Sequence, residues 1–265
     1  MAWRALTDKQ WELIQQYLPK PRRNRKGGRP PVDDRKCFEG ILWILWTGAP
    51  WSELPDIYGS KSTVHRRLKT WAETGVLLNL WRAFLNQLSD QQKVRWDECF
   101  IDGMFVRAKK GAHWSGRQKV AREQSSWYWP MARVLRSEYM EKASPAEVRL
   151  AEATLDSVKV KIGKRKKGKP KRLVADRAYD SNKLRTLLVS RGNEPIIPAR
   201  DKNKVATHQD KRKLRRYRHR WIIERTNSRL QNFRRLTVWY ERSAKVFTAL
   251  IDMACALITL KRVLG

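Results

Sequence analysis

Apolar residues recur at helical spacing through the first third of the chain. Trp11, Leu13, Ile14, Tyr17 and Leu18 follow Thr7, whose hydroxyl suits a helix N-cap, and Pro19 ends the run. Asp33 opens a second helix in which Cys37, Ile41, Leu42, Ile44 and Leu45 bury one side, and Gly48 closes it. After the turn segment APWSELPDIYGS, Ser60 opens a third, KSTVHRRLKTWAETG. Here Val64, Leu68 and Trp71 are predicted to face inward, with His65, Arg66, Arg67 and Lys69 facing out. Val76 to Leu88 predicts one more amphipathic helix. Ser89 to Asp97 then reads as a boundary between a helical domain, 1–92, and a second domain, 93–265.

From Glu98 the period shortens. ECFIDGMFVRA alternates and is rich in Phe, Ile and Val, predicting a strand broken by a turn at Asp102-Gly103. Ser144-Pro145 begins a helix with Ala146, Val148, Leu150 and Leu155 available for packing, and the polybasic loop KVKIGKRKKGKPKR follows. Leu173 to Ala175 is a short buried strand that delivers Asp176, and Ser181 starts a helix through Val189. Glu194 to Pro198 is a short final strand. Arg218 to Arg235 and Ala244 to Leu264 are the last two helices, so the fold class is mixed α/β.

Charge narrows the partner. Lys and Arg number 58 against 26 Asp and Glu, a net +32, which points to a polyanion. The basic residues are spread along the chain, not gathered opposite a continuous apolar face, which favours nucleic acid over a membrane surface. The longest apolar stretch, Val246 to Leu260, is short and interrupted by Asp252, so it reads as a buried closing helix rather than a membrane span. The N-terminus lacks an apolar signal core. Cys37, Cys99 and Cys255 are far apart and form no metal or disulfide pattern, which fits a reducing cytoplasm.

With that partner in view, the capped basic helix after Ser60 resembles the second helix of a helix-turn-helix, with Arg66, Arg67 and Lys69 as DNA contacts. An ordinary solvated helix gives the same pattern. Residues 20–31, KPRRNRKGGRPP, contain two Gly and three Pro and predict an exposed arm. Its Arg22, Arg23, Arg25 and Arg29 suit phosphate or minor-groove contact, or simply solvate a linker.

Three acids stand where chemistry would want them: Asp102 in the first strand, Asp176 at the end of a later strand, and Glu224 inside a basic helix. If the two strands are neighbours, Asp102 and Asp176 project side by side, and Glu224 completes a cluster from a packed helix. Oxygen ligands of this kind bridge two hard cations, which activate a water or a DNA 3′-hydroxyl for in-line displacement at phosphorus. Singly, each has an ordinary reading too: an Asp-Gly turn, or a salt-bridge partner in an Arg-rich helix.

The segments FIDG (100–103), VADRAYDS (174–181), EPIIPAR (194–200) and RYRHRWIIERTNSRLQNFRRL (216–236) resemble the insertion-sequence-five family of DDE transposases. The last block is the most specific, spacing Tyr217, Arg220 and Glu224 over neighbouring helical turns. WRALTDKQWELIQQYLP, GGRPP and GAPWSELP are similar to that family's front domain. The resemblance implies a helix-turn-helix-like N-terminal domain and a ribonuclease-H-like catalytic domain. It also implies Asp102, Asp176 and Glu224 as ligands of Mg²⁺ or Mn²⁺, and Tyr217 and Arg220 as supports of the donor strand. Seven residues after Glu224, where many members carry Lys, this chain has Gln231; Arg229 or Arg234 is left to supply that charge.

Between Gly111 and about Met140 the chain departs from what such a sheet needs for its second and third strands. Periodicity is poor, and three of the 13 Trp fall here, two of them flanking Tyr128 beside Pro130. Trp127 to Ala132 are encoded TGG-TAY-TGG-CCN-ATG-GCN. Read from the third base of the Ser126 codon, these give Met, Leu or Val, then Val-Leu-Ala, then Asp, Asn, His or Tyr, then Gly, a strand entering a turn. Two compensating frameshifts around an ancestral hairpin are therefore expected, against a genuine divergent insertion. Loss of two core strands would leave this copy unstable or inactive.

The expected function is cleavage and transfer of DNA strands at element ends, with terminal inverted repeats and target DNA as partners and a homodimer joining two ends. A non-catalytic DNA-binding regulator is the alternative. A structured-RNA binder is a third, without an aromatic stacking motif to support it. His65, His113, His208 and His219 show no metal-ligand spacing, and His65 and His219 read as groove or backbone contacts.

Overall fold

The computed structural model describes residues 5–19, 31–93, 98–108, 120–128, 171–199 and 211–265. Four helices form where the front pattern predicts them: α1 (Asp8–Gln15), α2 (Asp34–Thr47), α3 (Lys61–Thr74) and α4 (Val76–Asp90). Three begin on a side-chain cap. The Thr7 hydroxyl accepts from the Gln10 N–H while the Gln10 side chain accepts from the Thr7 N–H at 3.0 Å; Asp33 accepts from Arg35 and Lys36, and Ser60 from Thr63. Gly48 closes α2 at φ 72°, and a Cβ there would stand 2.9 Å from Cβ of Arg234, so both conformation and space require glycine.

A sheet follows. β1 (Glu98–Ala108) lies between β2 (Val120–Tyr128), antiparallel to it, and β3 (Arg172–Val174), parallel to it; β4 (Glu194–Ile196) is parallel to β3, giving the order β2-β1-β3-β4. α5 (Asn182–Ser190) is the crossover between β3 and β4. A helical turn at Lys211–Leu214 runs through a 3₁₀ segment, Arg215–Arg220, into α6 (Trp221–Gln231), and β5 (Val238–Trp239) pairs in parallel with the end of β1. α7 (Ala244–Val263) closes the described chain, and twelve of its residues, Val246 to Leu260, are buried as the closing-helix expectation requires.

Three expectations change. β1 runs unbroken through Asp102-Gly103, because antiparallel pairing with Ser126 and Ser125 of β2 overrides the local turn preference; the irregularity falls between Met104 and Phe105, where β2 carries an extra residue. Glu194–Ile196 is not the final strand, since β5 comes later. Residues 215–220 form a 3₁₀ segment, so the helix expected from Arg218 starts in a tighter winding. A second strand does occupy its place in the sheet at Val120–Tyr128, inside the stretch of poor periodicity. The rest of that stretch, the expected third strand, the helix from Ser144, the polybasic loop up to Pro170 and the arm at 20–30 lie outside the described residues.

The apolar faces of α1 to α4 close on α7. Phe38, Ile41, Leu45, Leu68, Trp71, Leu80 and Phe84 share one core with Phe247, Leu250, Ile251 and Ala254. The first and last helices of the chain are therefore one packed body, with the strands inserted between them in sequence. Two smaller cores flank the sheet. Cys99, Ile101, Leu173 and Ala175 pack against Tyr179, Leu184 and Leu188 on the α5 face, and Phe100, Val174 and Ile196 pack against Ile223 of α6 on the other. All three cysteines are free and buried, and burial pushes each thiol above its usual range.

Candidate active site

Alternation along β1 sets the position of Asp102. Cys99 and Ile101 serve the α5 face, so Phe100 and Asp102 serve the α6 face. The parallel register pairs Phe100 with Val174, and continued two residues it sets Asp102 opposite Asp176. Asp176 is in extended conformation just past β3, and its Oδ1 accepts from the Ala178 N–H at 2.7 Å, which fixes the carboxylate at the head of a 3₁₀ turn. α6 is laid over this face by Ile223, and Glu224 is the next residue along it.

The three acids converge on one cation of the protein itself. The Arg220 guanidinium lies 4.0 Å from Asp102 Oδ1, 3.9 Å from Asp176 Oδ2 and 3.6 Å from Glu224 Oε1. Its short contact is elsewhere: Nη1 donates to the Tyr217 hydroxyl at 2.7 Å. The 3₁₀ winding explains this pair, because three residues per turn eclipse Tyr217 and Arg220. Burial works against the guanidinium charge, but the Tyr217 hydroxyl and the Asp102 and Asp176 carboxylates more than offset it, raising the Arg220 pKa. Exposure differs around the ring: side chains are 15% exposed at Asp102, 26% at Asp176 and 61% at Glu224.

Two features escaped the sequence reading. The Asn227 amide donates to Asp102 Oδ2 at 3.2 Å, and its signal was present, since 224 and 227 share a helix face. Glu98, at the start of β1, pairs with both Arg216 and His219 Nδ1, the latter at 3.0 Å. These bonds tie the 3₁₀ segment to β1 and so position Tyr217 and Arg220. They outweigh the burial that would raise the Glu98 pKa, leaving it below the ordinary glutamate range.

The other sequence candidates lie elsewhere. Arg66 and Lys69 are exposed on α3, Lys69 within 3.9 Å of Glu73. Arg67 does not face out as expected: it pairs with Asp34 of α2 and lies over the Trp71 ring, because α3 packs on α2 through that side. His65 likewise turns to the Trp51 ring and stands 3.8 Å from the buried Glu241. Arg22, Arg23, Arg25 and Arg29, with His113 and His208, lie outside the described residues. Among the described residues no three His, Cys, Asp or Glu side chains stand close enough together to share one metal ion as they lie; the Arg220 guanidinium lies between the acids within 4.0 Å of each.

Residues 97–259, more than half of the chain and all of the acid ring, match the family described as "Transposase DDE domain". The chain belongs to the DDE transposase family. The front of the transposase, residues 6–81, matches a family described as "Putative transposase of IS4/5 family". The chain is 37% identical over 112 residues to an insertion element IS402 uncharacterized 16.2 kDa protein of Burkholderia cepacia, a match covering 41% of this chain and 76% of that one. It is 31% identical over 123 residues to the uncharacterized protein y4sN of Sinorhizobium fredii, covering 46% and 92%. It is 37% identical over 97 residues to a "Putative transposase for insertion sequence element IS402" of Burkholderia cepacia, covering 36% of this chain and 42% of that protein. No solved structure matches. Membership implies a ribonuclease-H-like domain, DNA cleavage and transfer as the general activity, DNA as partner, and divalent metal as the family's general requirement. Among the described residues no helix is long and apolar enough to cross a membrane.

Proposed function

We propose that Asp102, Asp176 and Glu224 form the metal centre at which this transposase cuts element ends and joins them to target DNA. The observation that carries this reading is the convergence of all three carboxylates within 4.0 Å of one guanidinium, at a place reached from two neighbouring strands and a helix. Three carboxylates are the hard oxygen donors that Mg²⁺ or Mn²⁺ takes, and a cationic group already lies among them, so the donor set fits. Two such ions supply activation of the attacking oxygen and stabilisation of the leaving one.

The chain's own groups do the rest. Ala178 N–H and the Asn227 amide each hold one carboxylate oxygen of the aspartates, fixing which lone pairs remain available. Tyr217 and Arg220 present donors beside the ring for the phosphate of the donor strand. Residues 1–92, whose core α7 completes, serve as the DNA-binding domain and 93–265 as the catalytic domain, with Arg66 and Lys69 of α3 and the arm's Arg22, Arg23, Arg25 and Arg29 on terminal-repeat DNA; Arg67 sets the angle of α3 on α2. Two copies bring two ends together.

Nicking of element-end DNA with Mg²⁺ tests the reading. Asp102→Asn, Asp176→Asn and Glu224→Gln are expected to abolish cleavage and spare binding; cutting by all three at the wild-type rate overturns the assignment and leaves a DNA-binding protein without chemistry. A gene with the Trp127–Ala132 frame restored, assayed in parallel, tests the frameshift proposal. Equal stability and equal activity of both versions would refute it.

A further inference from the structure

Arg220 is a cation placed inside a cation site, yet it is held there loosely. Its three carboxylate distances, 3.6 to 4.0 Å, are ion-pair distances beyond hydrogen-bond range, whereas its bond to the Tyr217 hydroxyl is 2.7 Å. The tight anchor therefore lies beside the acids and not on them. The guanidinium thus has one hydrogen-bonded partner outside the ring and only ion-pair contacts within it.

We infer that Arg220 is an internal counter-ion that competes with divalent metal for the acid ring. This rests on the reading of Asp102, Asp176 and Glu224 as a metal centre. Without metal, Arg220 neutralises carboxylates that burial and mutual repulsion would otherwise penalise. When a divalent cation enters, like charge expels the guanidinium, and the freed donors beside the ring meet the nearest anion a nucleic acid offers, a backbone phosphate. Arg220 thus exchanges one anionic partner for another, and cation and DNA binding reinforce each other by linkage.

Apparent metal affinity is lowered by the fraction of molecules in which Arg220 fills the ring. Removing the competitor should therefore tighten metal binding even as it weakens the transposase on DNA. The experiment is a Mn²⁺ titration of the full chain without DNA, read by the electron paramagnetic resonance of free Mn²⁺. The net charge of +32 disfavours adventitious binding of divalent cations elsewhere on the surface. Arg220→Gln is expected to bind Mn²⁺ roughly tenfold more tightly than wild type. Arg220→Lys, a shorter cation without the fork, is expected to fall between them and decides the matter alone if Arg220→Gln does not fold. Asp176→Asn should remove the binding in every background, identifying the site being counted. Equal affinity of wild type and both variants overturns the competition while leaving the metal centre intact. Absence of ring-dependent Mn²⁺ binding from every protein overturns both.

Discussion

Phe38, Trp71, Phe84 and Phe247 are fully buried in the helical body, whereas the acid ring rests on a thin layer of Phe100, Val174, Ile196 and Ile223 and leaves Glu224 61% exposed. The helical body is made of apolar area contributed by both ends of the chain, and its strength does not depend on ligand or salt. The ring gathers three negative charges around one positive one, an arrangement that favours a visiting cation more than it favours the fold. Stability and chemistry thus sit on different parts of the molecule, and substitutions should separate them.

The largest expected separation comes from Trp71. It packs its whole side chain against Phe38, their ring centroids 5.9 Å apart, at the point where α2 and α3 meet. Trp71→Ala should cost about 3–5 kcal/mol, seen as a fall in the urea midpoint with loss of DNA binding and cleavage together. Asp176→Asn keeps an acceptor for the Ala178 N–H, so it should leave the midpoint within about 1 kcal/mol while ending cleavage. If both variants lowered stability equally, the division would be wrong.

Glu241 belongs to the helical body, where it ties the turn after α6 to the segment between α2 and α3. It is buried, accepts from Arg235 Nε at 3.0 Å and Nη2 at 2.7 Å and from Trp51 Nε1 at 3.4 Å, while Arg235 Nη1 donates to the Ala49 carbonyl at 3.0 Å. Burial alone would raise its pKa, but His65, Arg235 and Trp51 together lower it below the ordinary glutamate value of 4.5. A carboxyl depressed in the folded state contributes stability above its unfolded pKa and loses it as pH falls through the folded value. Urea midpoints should therefore hold from neutrality to about pH 5 and fall below about pH 4.5, with Glu98 adding the same sign. Glu241→Gln should cost about 3–5 kcal/mol at pH 7, because Arg235 is left buried without its carboxylate, and should flatten part of the acid fall. An unchanged acid profile in that variant would contradict the assignment.

Within the ring the next effect belongs to Asn227. Asn227→Ala releases Asp102 Oδ2 and should lower the cleavage rate roughly 10–100-fold with the urea midpoint little changed. A rate equal to wild type would remove Asn227 from the site.

What could be read in advance divides along the same line. The front helices were legible because each has an apolar side at helical spacing, and α2 and α3 add a cap and a terminating glycine within one short window, as in Asp33 to Gly48. The acids were legible as candidates through the spacing of Tyr217, Arg220 and Glu224. Their meeting on Arg220 was not, since it depends on the register of β1 with β3 across more than seventy residues. The turn reading of Asp102-Gly103 failed for the same reason: local chemistry favours a turn, and pairing with the neighbouring strand β2 overrules it. Arg67 and His65 were misplaced because a basic residue on a helix looks solvent-facing until the partner that covers it is known, here Asp34 for one and Trp51 with Glu241 for the other.

The smallest expected effect tests how far the helical body's cohesion extends. α1 is eight residues long and contributes one fully buried side chain, Ile14, with Trp11 edge-on to Phe38 at 6.1 Å. A helix that short is not stable by propensity, so its capping box and the bridge from Arg35 to Asp8 and the Leu6 carbonyl carry a larger share of its order. Thr7→Ala removes the cap and should cost about 1 kcal/mol. Because α1 is the thin edge of a large core, that loss should open α1 alone: faster amide hydrogen exchange at Trp11 to Gln15, with protection of Ile41 to Leu45 in α2 unchanged. Equal acceleration in both helices would mean that α1 belongs to the cooperative core rather than to its margin.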